Sequence, residues 1–155
     1  MAAARTLNLM GNRASIKATA EETDGAFGMI EFVATPGAQP PSLHVHSRED
    51  EFLYVLEGRL VVTVAHEERF VEAGGFVFMP RGAAHGWRNP DPFPARFLSM
   101  MVPGGGERYF LDLAAVLAAG APDNPETITP LMIHHGIRPA EPVVHLVEDP
   151  GSTVS

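Results

Sequence analysis

Short runs of apolar and β-branched residues, some alternating with polar ones, recur through residues 14 to 102, and beyond them the apolar spacing becomes that of a helix. Residues 14 to 19 and 26 to 34 read as short strands. In the second, Phe27, Met29, Glu31 and Val33 share one face, and Ile30 and Phe32 stand on the other. Glu51 to Leu56 and Arg59 to Ala65 flank Glu57-Gly58, a tight hairpin turn in which glycine supplies a positive φ. Phe70-Val71, Gly75 to Met79, His85 to Arg88 and Ala95 to Val102 continue the series at the short spacing of a sandwich or barrel. Strands do not alternate with helices here, which argues against a doubly wound parallel sheet.

The last third is different. Glu107 to Ala119 places Phe110, Leu113, Ala114 and Leu117 on one helical face. Asn124 caps a second helix, with Pro125 at its first position and Glu126 in its first turn, and Gly136 ends it. Such a pair can form a lid over a cavity mouth, or simply cover the core or make a dimer contact; core cover or a dimer contact is favoured over the lid. Pro142 to Val147 is predicted as a last strand and residues 148 to 155 as a flexible tail.

Composition narrows the chemistry. A chain of 155 residues, 45% hydrophobic, is one domain with a core of its own. Cysteine is absent, so disulfides and thiolate metal sites are excluded, and any metal takes nitrogen and oxygen ligands. A net charge of -8 without a Lys/Arg cluster repels phosphate backbones, which speaks against nucleic acid. Met1-Ala2-Ala3-Ala4-Arg5 has no apolar signal core and no run reaches membrane-spanning length, so no membrane partner and a cytoplasmic location are expected.

Two spaced motifs carry the candidate chemistry. The first reads His44-Val45-His46, four residues, Glu51, six residues, Gly58. The second reads Gly74, five residues, Pro80-Arg81-Gly82, two residues, His85, three residues, Asn89. Residues two apart on a strand point the same way, so His44 and His46 can converge on one ion. Glu51 meets them if the chain bends over Ser47 to Asp50, and a turn at Pro80 and Gly82 brings in His85. Three imidazoles and one carboxylate suit a first-row divalent ion (Fe, Ni, Mn, Co, Cu or Zn), one per chain, and disfavour Mg and Ca.

These motifs resemble those of the cupin superfamily, GX5HXHX3-4EX6G and GX5PXGX2HX3N. The second matches at every fixed position; the first departs once, with six residues between Gly37 and His44, in a loop ahead of the ligands. The resemblance, carried by about residues 27 to 102, implies an all-β fold. Its expected form is an antiparallel jelly-roll barrel, core about 26 to 102, with the helical extension of about 104 to 137 packed outside. It implies a metal held inside by His44, His46, Glu51 and His85, and supports a homodimer, for which sheet edges and the amphipathic helix also argue. The first motif is similar to that of small single-domain cupins compared with quercetin 2,3-dioxygenase. That likeness implies a metal-dependent dioxygenase acting on a small enolisable aromatic such as a flavonol, with Glu51 as ligand and catalytic base. Two rivals stay open: a redox-neutral metal-dependent cyclase, isomerase or lyase, and a non-catalytic small-molecule-binding cupin.

Other residues receive plainer expectations. His134 and His135 sit at a helix C-terminus, where the dipole favours imidazolium. His66 is solvated and Asn89 closes a turn through backbone hydrogen bonds. Trp87 shares the parity of His85 and can line the cavity. Glu31, if inward, needs a partner such as Arg96. Met29, Phe76, Phe78, Met79, Met100 and Met101 are assigned mostly to the core.

Overall fold

A computed structural model describes residues 5–38, 43–141, 149 and 151. Eleven strands and two helices appear among them: β1 Arg5–Leu9, β2 Asn12–Ala18, β3 Gly28–Ala34, β4 His44–His46, β5 Asp50–Glu57, β6 Arg59–Val64, β7 Glu67–Glu72, β8 Phe76–Met79, β9 His85–Arg88, β10 Ala95–Val102, α1 Glu107–Ala118, α2 Pro125–His134 and β11 Ile137–Pro139. All pairings are antiparallel. One sheet runs β1-β2-β3-β10-β5-β8 and the other β11-β4-β9-β6-β7.

The closed barrel expected from the sequence is not formed. Among the described residues no ladder joins the two sheets, so the strands stack as a sandwich with open edges. The reason lies in strand length. β4, β8, β9 and β11 have three or four residues each, and β4 meets β9 at a single register pair, His44 with His85, so short strands cannot carry a continuous ladder round the corners. β1 and β11 were not anticipated, and β2, though anticipated, also lies outside residues 26 to 102. The strand expected at 142 to 147, part of the loop at 37 to 42 and most of the tail lie outside the described residues.

Alternation builds the core. On β3 and β10 every second residue is buried, and Ile30, Phe32, Phe97 and Met101 meet Leu53, Val55, Leu60 and Val62 between the sheets. Burial of such side chains stabilises by roughly 1.5–3 kcal/mol each. The β5–β6 turn depends on Gly58, at φ +72°, where an added Cβ would lie 3.0 Å from Pro94 O and 3.1 Å from the Ala95 Cα. Phe76 and Phe78 are a correction: they are 56% and 45% exposed on the outer face, while Val77 and Met79 point inward. Phe-Val-Phe-Met is apolar on both faces, so its pattern alone could not choose. Glu31 also lies on the outer face, paired there with Lys17 at 3.1 Å and Arg96 at 3.5 Å.

The helices start and stop as expected. Asn124 accepts a hydrogen bond from Thr127 N on its side chain, Pro125 opens α2, and Gly136 at φ +73° follows it. Gly136 O then accepts from both Ser47 N and Ser47 Oγ, which docks β11 against β4. Rather than lying wholly apart from the interior, α1 and α2 lend Tyr109, Phe110, Leu113 and Met132 to the lining of a cavity between the sheets. No helix among the described residues is long and apolar enough to cross a membrane.

Candidate metal centre

The cavity floor joins the two sheets. β4 supplies His44 and His46, β9 supplies His85, and β5 of the opposite sheet supplies Glu51. One ligand-capable atom from each of the four lies within 4.8 Å of the others. The bend at Ser47 and Arg48 brings Glu51 back over the strand, as the spacing predicted. The Pro80–Gly82 turn is tied to it, because Gly82 N donates to His46 O at 2.9 Å. Asp50 accepts from Arg81 N and from its guanidinium, which pins the same turn.

Two ring orientations are held from behind. His46 Nδ1 lies 3.2 Å from Glu49 Oε2, and His85 Nδ1 lies 3.1 Å from Ala83 O. Both partners are acceptors, so each Nδ1 carries the proton and each Nε2 turns toward Glu51 Oε2, at 3.4 Å from His46 and 2.9 Å from His85. Ring nitrogens and a carboxylate oxygen this close need an electropositive centre between them, or lone pairs would face each other. In the metal-free chain a proton on His85 Nε2 supplies it, donating to Glu51. A divalent ion supplies it equally well, and the nitrogen and oxygen donors suit a first-row transition metal. The cluster can therefore hold one ion.

Glu51 is held at its other oxygen too. Ser99 Oγ donates to Oε1 at 2.6 Å, a contact that motif reading did not anticipate because Ser99 comes from β10. Burial alone would raise the Glu51 pKa, but the hydrogen bond from His85 and the charges of His85, His46 and His44 outweigh it and hold the carboxyl well below its ordinary range. His85 mirrors this. Burial disfavours its charged form, yet Glu51 beside it pushes its pKa up. Glu49 was also missed: a carboxylate in a polar loop reads as solvated, yet it is 5% exposed.

Above the four residues the walls are aromatic. Trp87 lines the cavity, as its parity with His85 predicted, with its ring 4.9 Å from Phe97 and 6.3 Å from Phe32. Tyr109 contributes to the roof; burial and the nearby Asp123 charge push its phenol up to about 12, so it stays protonated. The remaining expectations resolve outside the centre. Asn89 donates to the Ala34, Thr35 and Phe93 carbonyls and accepts from Asp91 N, a purely structural closure. His66 is exposed, and His135 at the end of α2 meets Asp112 Oδ2 at 2.8 Å.

Residues 30–101 match the family described as Cupin domain. That match, which spans a little under half of the chain, is a likeness to cupins over the strands that carry the four clustered residues. The tetracenomycin polyketide synthase protein TcmJ of Streptomyces glaucescens is 37% identical over 81 residues, 52% of this chain and 52% of that protein. The chain thus spans about half the length of the curated relative it matches. Among solved structures, an RmlC-like cupin from Shewanella frigidimarina aligns with a TM-score of 0.59 at 19% identity, over 68% of this chain and 89% of that one. The polyketide cyclase RemF from Streptomyces resistomycificus aligns at 0.56 and 21% identity, over 64% and 74%. At such identities the structural likenesses speak for the fold alone. Together the comparisons show a likeness to cupins over about half of the chain, with no specific support for a flavonol dioxygenase.

Proposed function

We propose that this chain is a cupin and a metal-dependent enzyme for a small, enolisable, polyketide-like or phenolic substrate, and that it carries out a redox-neutral cyclisation or isomerisation with Glu51 as proton acceptor. One observation carries the reading. A carboxylate fixed at Oε1 by Ser99 presents Oε2 to His46 and His85, with His44 in the same cluster, beneath an aromatic-lined cavity. The 37% identical relative is by its name a polyketide synthase protein, which favours substrates of that chemistry.

His44, His46, Glu51 and His85 would hold the ion. When bound, a divalent transition metal supplies Lewis acidity that polarises a carbonyl or enol oxygen and acidifies the neighbouring proton. Glu51 Oε2 takes that proton, and Ser99 keeps the carboxylate from swinging away. Being ionised well below neutrality, Glu51 is a weak base, so it suits protons that are already acidified. Phe32, Trp87 and Phe110 give a planar substrate faces to stack on and keep water out. The dioxygenase implied by the family resemblance is the second reading. Four protein donors leave one or two positions open on a five- or six-coordinate ion, which is what dioxygen needs.

Glu51→Gln separates ligand from base. The amide oxygen can still coordinate and three imidazoles remain, so much of the metal affinity should survive, while turnover of a panel of poly-β-ketones and hydroxylated aromatics should fall ~10²–10⁴-fold. Near wild-type turnover by the fully metallated variant would refute the assigned role. Product formation without oxygen uptake supports the redox-neutral reading, stoichiometric uptake supports the dioxygenase, and tight binding with no conversion would leave a binding protein.

A further inference from the structure

The β1–β2 hairpin stands outside residues 30–101, the stretch that is like cupins, yet its tip forms part of the cavity wall. Met10 and Gly11 take φ of 51° and 81°, so both central residues of the turn are left-handed, and Leu9, Met10 and Asn12 around it line the cavity. Asn12 shares the inward face of β2 with Ala14 and Ile16 and is 7% exposed. Its Oδ1 accepts from Thr35 N at 3.0 Å and from Thr35 Oγ1 at 3.1 Å. A backbone N–H can only donate, so the atom facing it is the oxygen and the amide cannot turn over. The amide nitrogen then has no hydrogen-bond acceptor among the described residues. Every side-chain nitrogen or oxygen closed off from open space among those residues has a partner. Nδ2 has none, so its two N–H groups face open space, and on the inward side of β2 that space is the cavity.

We infer that Asn12 is a specificity residue, whose amide donates to a carbonyl or other acceptor oxygen at the end of the substrate remote from the four-residue cluster. The inference rests on the reading of that cluster as the site of an enolisable substrate, and it adds the shape of the molecule. Two features separate Asn12 from a side chain that only supports the fold. Holding Thr35 needs an acceptor alone, and the amide brings donors that nothing in the fold uses. Around it Leu9, which pairs with it in register, Met10 and Phe32 line the cavity with apolar surface. A few placed polar groups in an apolar wall are what fixes the orientation of a small ligand. β2 stands three strands from β5 in the sheet order, about 14 Å at ~4.8 Å per strand, so a ligand that reaches Asn12 while Glu51 takes its proton is elongated, with two or more linked or fused rings. Its far oxygen must accept, because Nδ2 can only donate.

Fluorescence titration of the full chain with 4′-acetylbiphenyl-4-ol and 4′-isopropylbiphenyl-4-ol tests the assignment, because the two probes differ only in whether the far group carries a carbonyl oxygen or a methyl. Wild type should bind the ketone ~3–10-fold more tightly, the worth of one neutral hydrogen bond. Asn12→Asp keeps an acceptor for Thr35 N and Oγ1 but has no N–H, so it should fold as wild type does and lose the preference. Asn12→Leu, which is uncharged, should lose it as well. Glu51→Gln and His85→Ala act at the other end, so each should weaken both probes alike and leave their ratio unchanged. Equal wild-type affinities, binding of neither probe, or a preference that survives Asn12→Asp would overturn the inference and leave the reading of the cluster standing. A preference that Asn12→Asp removes, with both affinities untouched by Glu51→Gln and His85→Ala, would keep the Asn12 contact and count against that reading instead.

Discussion

Removing the Glu49 carboxylate tests whether the metal centre depends on what stands behind its ligands. Glu49 Oε2 sits 3.2 Å from His46 Nδ1, with side-chain exposures of 7% and 3%. Glu49→Ala leaves a buried N–H without its acceptor, at a cost of about 1–3 kcal/mol. It also frees the His46 ring to change tautomer or rotate, which would turn Nε2 away from Glu51. Comparable losses behind metal-bound histidines reduce affinity ~10–100-fold. Glu49→Gln keeps an acceptor oxygen at the same position and should lose less than Glu49→Ala. Competition titration against a chelator of known affinity, with thermal unfolding of the metal-free proteins in parallel, reads both effects. If Glu49→Ala binds within twofold of wild type, the orienting role is wrong. If Gln and Ala lose affinity equally, charge rather than orientation matters at this position.

Two further outcomes follow from the same geometry. Glu51 has its pKa lowered, so its contribution to folding is present above its ordinary 4.5 and lost as pH falls; His85 has its pKa raised, so its contribution is present below its ordinary 6.5 and lost as pH climbs through the folded value. Metal-free protein should therefore resist denaturant best between those two values and metal affinity should rise with pH as His85 gives up its proton, and a flat affinity from pH 5 to 8 would contradict the assigned Glu51–His85 pair. Gly58→Ala forces a side chain into a left-handed turn against Pro94 O and Ala95, and should destabilise by more than the ~1–2 kcal/mol conformational cost alone, read as a lowered urea midpoint; an unchanged midpoint would mean that the turn relaxes.

The four ligand-capable residues could be read from the chain because local geometry decides them. A strand puts His44 and His46 on one face, a bend over Ser47 to Asp50 returns Glu51 to them, and Pro80 and Gly82 mark the turn that brings in His85. Trp87 followed from parity with His85, and the caps of α2 from Asn124, Pro125 and Gly136. Features fixed by long-range pairing were not readable. β11 is three residues ending in proline, and it exists because Gly136 and Ser47 dock it on β4. Phe76 and Phe78 looked like core because nothing local distinguishes two apolar faces of one strand. Ser99 and Glu49 carry no motif signal, and only the meeting of β10 with β5 and the bend after His46 give them their partners. Whether the sheets close into a barrel also depends on ladders between distant, very short strands.

The central claim is that one ion can be held jointly by His44, His46, Glu51 and His85. Elemental analysis of protein purified from its native host without chelators, together with His46→Ala and His85→Ala, tests it most directly. One divalent transition metal per wild-type chain, lost from both variants while their circular dichroism is retained, is the predicted result; stoichiometric metal surviving both substitutions would contradict it.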